Sequence, residues 1–187
     1  MANQCSITIT DFGADGVGGN SAVNRGAYAT TAYDRLRILE RYRRIAMVGL
    51  SSNPFRPSHF AAIYLISEGY DVIPVNPRET EVLGRKAYPS VLAVPRPVEV
   101  VDIFREPAAV PGIVEEAIEA GAKVIWMQLG VIHEAAAERA RQAGLEVVMD
   151  RCMKIEHARF FGGLNTIGMN TAVLTAKRKL GRQRMER

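Results

Sequence analysis

Five short apolar runs, separated by helix-like stretches, constrain the fold of this 187-residue chain more than any other feature. The runs are rich in Val and Ile, as are strands that are buried on both faces. Because runs and helical stretches alternate, the pattern predicts a doubly wound parallel sheet with right-handed crossovers and helices on both faces. We expect five strands in the order 3-2-1-4-5, formed by residues 45–50, 70–76, 98–104, 122–130 and 145–150.

Helix boundaries are marked by residues with special backbone preferences. Gly69, Gly121 and Gly144 stand just after helical stretches, where a left-handed residue commonly ends a helix. Pro57 suits a helix start, with Ser58 as the expected N-cap. The expected helices cover residues 58–68, 90–94, 107–120 and 133–143, after a first helix over 31–44 that Thr30 or Thr31 caps.

The chain divides into three parts. Residues 1–30 are small and polar, which predicts a mobile lead segment, and residues 31–160 form a single domain. Residues 161–187 are expected to hold a C-terminal helix from Thr166 and a basic tail, the helix packing on the body or on a second subunit, as in a homodimer. From Asn170 onward six cationic residues face one glutamate, so the tail carries +5 and the remainder about −1, which gives the net +4. We interpret this tail as a solvated helix end, where cations suit the helix dipole. The alternative is nucleic-acid binding, which would weaken steeply with salt.

Composition limits the class of protein. The chain is 48% hydrophobic and 24% charged, and it has no run of the roughly 20 apolar residues that a membrane span needs. Its first residues lack the basic and apolar regions of a signal peptide, so we expect a cytoplasmic protein without a membrane partner. Cys5 and Cys152 stand at opposite ends, a spacing that predicts neither a disulfide framework nor a zinc site.

The stretch "VGLSSNPFRPSHF", after the first strand, indicates an anion site. It opens a helix, whose first N–H groups attract phosphate. Ser51, Ser52 and Ser58 add hydroxyl donors, and Arg56 adds a planar guanidinium. From spacing alone, a capped helix start with Arg56 in water explains the stretch equally well.

The stretch after strand 2 limits which nucleotides the site could bind. An NAD-binding protein would carry an acidic residue there, but this chain has Asn76, Pro77 and Arg78. An arginine favours a phosphorylated ribose, which allows NADP or another 2′- or 3′-phosphorylated nucleotide. The chain also lacks the G-x-G-x-x-G and Walker patterns, since Gly49 is the one glycine of the first loop.

These motifs together resemble the small stand-alone CoA-binding domain family, which is related to the CoA-binding domain of the succinyl-CoA synthetase alpha subunit. The resemblance rests on "VGLSSNPFRPSH", "VIPVNPRET", "VDIFREP" and "LEVVMDRCMKIEH" and covers residues 44–157, some three-fifths of the chain. It implies a Rossmann-like fold that holds coenzyme A, free or acylated.

The resemblance also implies a set of site residues. Those of the phosphate loop would be Gly49, Ser51, Ser52, Asn53, Arg56 and Ser58. Those bordering the adenosine and its 3′-phosphate would be Asn76, Pro77 and Arg78, where the family often has lysine in place of the arginine. Phe104 and Arg105 would flank the pantetheine or adenine, and Gln128, Leu129 and Gly130 would approach the pantetheine arm.

Catalytic machinery is not evident. The related synthetases need a second domain with a phosphorylated histidine, and His59, His133 and His157 form no triad with a nucleophile and a carboxylate. The first hypothesis is therefore a binding module for CoA or acyl-CoA that is not itself an enzyme. The alternative is an NADP-dependent oxidoreductase or a component of an acyl-CoA ligase.

Cys152 is a separate candidate. Arg151 and Lys154 beside it would lower the pKa of its thiol and make it reactive toward a CoA disulfide. A buried structural cysteine in a strand-end turn is the favoured alternative.

Overall fold

A five-stranded parallel sheet lies at the centre of the structure, a computed structural model that describes residues 30–162, 169–170 and 173–174. The strands of this sheet are β1 (Arg44–Val48), β2 (Asp71–Val75), β5 (Val100–Ile103), β6 (Val124–Met127) and β7 (Glu146–Val148). Two short antiparallel pairs accompany it: β3 (Glu81–Val82) with β4 (Arg85–Lys86), and β8 (Met169–Asn170) with β9 (Val173–Leu174). The predicted Rossmann-like α/β class is confirmed.

The described helices are α1 (Ala32–Arg41), α2 (Pro57–Ser67), α3 (Val110–Glu119), α4 (Glu134–Gln142) and α5 (Met153–Phe160), with single 3-10 turns at Val91–Ala93 and Pro107–Ala109. Thr31 caps α1 in a capping box with Asp34. The expected helix over 31–44 ends early, because Tyr42 is extended and the next residues enter β1. The helix expected at 90–94 is only a 3-10 turn, and α5 was not predicted. None of the helices in the described ranges is long and apolar enough to cross a membrane.

The order of the strands differs from the prediction. The sheet runs β2-β1-β5-β6-β7, which is 2-1-3-4-5 in the five-strand numbering, so the third strand lies beside the first. Pro74 explains the edge position of β2: its carbonyl accepts a hydrogen bond from the Tyr88 N–H on the outer side (2.9 Å), where its missing N–H faces no further strand. β5 is buried along its whole length and pairs on both sides, as an interior strand must.

Each face of the sheet packs under its own helices. One buried cluster combines Ala46, Val101 and Ile125 with residues of α3 and α4. The other combines the neighbouring positions in β1 and β6, Met47 and Trp126, with residues of α1, α2 and α5. This alternation of strand side chains places helices on both faces, as predicted.

The segment after α5 differs from the predicted helix. Where a helix was expected from Thr166, the described residues 169–170 and 173–174 pair as strands β8 and β9. Val173 is β-branched and Asn170 is a poor helix former, which favours this pairing. The predicted lead segment, apart from Thr30, and the basic tail beyond residue 174 lie outside the described residues.

Candidate functional site

A cavity of about 930 Å³ opens at the carboxyl ends of the parallel strands. It lies where the chain reverses direction across the sheet, because β2 and β5 flank β1 on opposite sides. Such a switch point leaves a crevice outside the strand ends, which is where open α/β sheets bind ligands. We call it the strand-end cavity; ten of the predicted residues line it, namely Gly49, Ser51, Arg56, Ser58, Asn76, Arg78, Phe104, Arg105, Gln128 and Leu129.

Gly49 shapes the start of the loop between β1 and α2. Its φ is +88°, and its N–H donates to the Val75 carbonyl at 2.8 Å. A Cβ at this position would lie 3.1 Å from Cδ of Arg105 and 3.4 Å from the Phe104 backbone. Glycine therefore lets the loop leave β1 close to the end of β5 without backbone strain or a tight contact.

Hydrogen bonds within the loop hold its polar side chains. The Ser51 N–H donates to Oγ of the buried Ser58 (3.3 Å), and the Asn53 N–H donates to Oγ of Ser51 (3.2 Å). The Phe55 N–H donates to Oδ1 of Asn53 at 2.9 Å, which forms a local turn. The helix N-cap is Arg56 and not Ser58 as predicted, and Pro57 occupies the first turn of α2.

The charge of the strand-end cavity is predominantly positive. Arg56, Arg78, Arg105 and Lys154 line it, with Glu79 as the acidic residue among the lining positions. Glu79 accepts hydrogen bonds from both the N–H (3.0 Å) and the hydroxyl (2.9 Å) of Ser52, which hold the pKa of its carboxyl below the usual range. Arg105 is paired with Glu106 at 3.0 Å. Guanidinium and ammonium groups around one crevice are suited to phosphate oxygens.

A buried carboxyl lies beneath the cavity. Nε2 of Gln128, a lining residue, donates to Oδ1 of Asp102 at 2.7 Å. Asp102 is fully buried on β5, and burial raises its pKa to about 7. Among the described residues its Oδ2 has no hydrogen-bond partner.

Cys152 lines the cavity, and its environment supports the favoured alternative, a structural cysteine, over an activated thiol. Burial raises the pKa of its thiol, and the nearby Asp102 charge raises it further. Hydrogen bonds from the backbone of Ile155 and Lys154 act in the opposite direction but do not outweigh burial. A thiol with a raised pKa carries little thiolate and is a weak nucleophile.

The three histidines have structural roles. His133 caps α4, its Nδ1 accepting from the Ala136 N–H (3.1 Å), as the sequence predicts for the start of that helix. Nδ1 of His59 lies 2.9 Å from the Ser51 carbonyl, behind the loop. His157 is buried among aromatic rings, and burial lowers its pKa. None of the three lines the strand-end cavity.

The other predicted residues surround the cavity. Ser52, Asn53 and Pro77 are exposed in the two loops beside it. Gly130 lies in an exposed turn, where its N–H donates to Oδ1 of Asp150 at 2.8 Å. The lining residues that sequence reasoning missed include Phe55, Phe60, Glu79, Val131 and Ile155. Ile155 follows the fifth strand in the sequence. Because residues after a parallel strand lie at the carboxyl edge of the sheet, this position could have predicted its place in the cavity lining.

This arrangement defines a Rossmann-like α/β protein with its cavity at the switch point of the sheet. The chain belongs to the CoA binding domain family, whose model CoA_binding_2 matches residues 43–158. It is similar to the uncharacterized protein YneT of Bacillus subtilis (strain 168), at 42% identity over 121 residues, 65% of this chain and 90% of that protein.

Solved structures agree on the fold. A hypothetical protein from Pyrococcus horikoshii OT3 is 46% identical, with a TM-score of 0.71, over 76% of this chain and 100% of that chain. A dinucleotide forming acetyl-coenzyme A synthetase 1 from Ca. Korarchaeum cryptofilum is 28% identical, with a TM-score of 0.54, over 62% of this chain and 28% of that chain.

Proposed function

We propose that this chain binds coenzyme A or acyl-CoA in the strand-end cavity and is not itself an enzyme. The observation that carries the proposal is the group of four cationic side chains around a cavity at the switch point of the sheet. CoA has a pyrophosphate and a 3′-phosphate, which need such cations, and membership of the CoA binding domain family supports the same ligand.

The phosphates are assigned to two arginines. Arg56 occupies the N-cap position of α2, so its guanidinium and the helix N-terminus together suit the pyrophosphate. Arg78 follows β2, beside the expected position of the ribose, and suits the 3′-phosphate. The remaining predicted residues at the strand ends would contact the adenine and the pantetheine arm.

CoA fits this site better than the alternative ligand NADP. Dinucleotide-binding folds hold a pyrophosphate on a glycine-rich turn, whereas this loop presents Ser51 and Arg56 to the cavity. The nicotinamide half of NADP would also need a partner for hydride transfer. No convergent acid–base pair lies among the residues that line the strand-end cavity.

Calorimetric titration tests the assignment. The purified, ligand-free protein should bind CoA more tightly than NADP or NAD. Removing both phosphate contacts in Arg56→Ala/Arg78→Ala should weaken CoA binding about 100-fold, since hydrogen bonds to charged groups contribute a few kcal/mol together. The control Arg96→Ala/Arg139→Ala also removes two positive charges, at positions outside the cavity lining. Unchanged CoA affinity in the first double variant would contradict the assignment.

Dephospho-CoA separates the two arginines. It lacks the 3′-phosphate, so Arg78→Ala should reduce its affinity much less than that of CoA. Arg56→Ala should weaken the binding of CoA and of dephospho-CoA by the same factor. If Arg78→Ala lost the same affinity for CoA as for dephospho-CoA, the 3′-phosphate would not bind at Arg78.

A ligase component is the second candidate function. It is favoured by the similarity to an acetyl-coenzyme A synthetase, of which this chain covers 28%. The binding-module proposal predicts that the chain alone forms no ATP from acetyl-CoA, ADP and phosphate. Formation of ATP by the purified chain would overturn the binding-module proposal in favour of the ligase component.

A further inference from the structure

A second cavity adjoins the strand-end cavity. It has a volume of about 600 Å³ and lies between the start of α1, the loop after β6 and α5. Leu129, Cys152 and Ile155 line both cavities, so the two spaces meet at these residues. Leu129 belongs to the turn expected beside the pantetheine arm. The second cavity therefore begins where the pantetheine arm of a bound CoA is expected, and this arm ends in the thiol that carries an acyl group.

Arginines dominate the lining of this second cavity, which we call the arginine cavity. Arg35, Arg151 and Arg159 line it together with the acidic Glu156, which leaves a formal charge of +2. Apolar side chains come only from Ala32, Leu129 and Ile155 among its lining residues, with the Cys152 thiol beside them. This composition differs from that of a pocket for a hydrocarbon chain.

Glu156 is already satisfied within the protein. It is 1% exposed and accepts a hydrogen bond from Nε of Arg35 and another from Nη1 of Arg159, both at 2.8 Å. A guanidinium has five N–H donors, so Arg159 retains donors beyond this contact. Arg151 donates from Nη1 to the Asp150 carbonyl (2.7 Å) and lies 4.0 Å from Oδ2 of the same residue, while its side chain is 44% exposed and keeps further N–H donors. Arg151 and Arg159 can thus receive an anion at the wall of the cavity.

We propose that the arginine cavity takes the acyl group of an acyl-CoA whose acyl chain ends in a carboxylate. The proposal rests on the proposed function, because the acyl group enters only when CoA occupies the strand-end cavity. A carboxylate accepts from two guanidinium groups in charge-assisted geometry. A neutral alkyl chain would instead displace the water that solvates the arginines without forming a hydrogen bond to them.

Matched pairs of acyl-CoA thioesters test the proposal by calorimetry. Malonyl-CoA is compared with propionyl-CoA, and succinyl-CoA with butyryl-CoA, because each pair has the same carbon count and differs in the carboxylate. At least one acidic thioester should bind about tenfold more tightly than its neutral match, as expected for hydrogen bonds between charged groups. The preference should shrink as salt is added, because Arg151 is partly exposed.

Two variants locate the contact. Arg151→Gln keeps the backbone carbonyl that accepts from Nε1 of Trp126, so it should fold normally and lose most of the acidic preference. Arg159→Gln should do the same, with circular dichroism confirming its fold. Arg139→Gln is the control, since Arg139 pairs with Glu115 at 2.9 Å and lines neither cavity.

The outcomes separate this proposal from the one on which it rests. If CoA itself fails to bind, both are overturned. If CoA binds but neither acidic thioester exceeds its neutral match, the carboxylate proposal alone is overturned. If the preference exists but survives in both Arg151→Gln and Arg159→Gln, the arginine cavity is not its source and the proposal also fails.

Discussion

Gly49, directly after β1, adopts a left-handed backbone conformation close to the end of β5. Gly49→Ala should cost about 1 kcal/mol of unfolding free energy from backbone strain. It should also weaken CoA binding, because the added methyl group displaces Arg105 at the cavity wall. Urea unfolding and calorimetry measure the two effects.

Gly69 offers a matched control for this substitution. Its φ of +86° is nearly the same, but no atom lies within 4 Å of an added Cβ. Gly69→Ala should therefore lose similar stability and keep the full CoA affinity. If the two variants bound CoA equally well, the close approach at Gly49 would have no part in ligand binding.

Asp102 should make the stability of the protein depend on pH. Its folded pKa of about 7 lies above the ordinary value of 3.8 expected in an unfolded chain, so the folded state binds the proton more tightly. Its contribution is therefore fully favourable below pH 4, and stability is lost as the pH rises toward 7. Asp102→Asn keeps an oxygen for Gln128 and cannot ionise. Between pH 5 and pH 8 the wild type should lose more unfolding free energy than Asp102→Asn, measured by urea unfolding; equal losses would contradict the raised pKa.

Sequence reasoning located some residues of the candidate site and missed others. Arg56 and Arg78 line the cavity, as expected, because position after a parallel strand fixes which edge a residue occupies. For Cys152, the cationic neighbours in the sequence suggest a lowered thiol pKa, but burial, and to a smaller extent the Asp102 charge, raises it, in line with the favoured structural alternative. Burial depends on packing between distant elements, which one local stretch does not encode.

At the scale of elements, a buried ion pair fastens α1 to α5. Arg35 and Glu156 are 121 positions apart in the chain, and their side chains are only 9% and 2% exposed. Glu156→Gln leaves the buried guanidinium without a counter-charge and should cost about 3 kcal/mol. The exposed pair of Arg139 with Glu115 supplies the control, and Glu115→Gln should cost less than about 1 kcal/mol. Equal losses in urea unfolding would mean that α1 is not held by this pair.

The strand elements were predictable, but the predicted order of the strands was wrong. All five apolar runs became strands, because runs of this length and composition suit buried parallel strands. The order depends on which strand tolerates an edge, and Pro74 in β2 was the available signal. The helix α5 was missed because it is only eight residues long and has little amphipathic pattern.

At the scale of the whole molecule, the cavity and the basic tail are separate in sequence. Every residue that lines the strand-end cavity lies between Gly49 and Ile155, within the matched family region. Removing residues 175–187 takes away six cationic residues and one acidic residue. Its effect on CoA affinity at physiological salt should stay below about twofold, because every assigned phosphate contact lies within the matched family region and salt weakens long-range attraction between charges. A tenfold loss in calorimetry would show that the tail takes part in binding.

The outer edge of β2 also bears on self-association. Pro74 has no N–H to offer, its carbonyl accepts from Tyr88, and the Asn76 N–H donates back to the Tyr88 carbonyl at 2.8 Å. The backbone of Tyr88 therefore occupies the hydrogen-bonding groups at the end of this edge. An exposed sheet edge is a template on which other chains can add strands and grow fibres. A second copy of the chain therefore meets no open backbone ladder at this end of β2, which limits the addition of a foreign strand there.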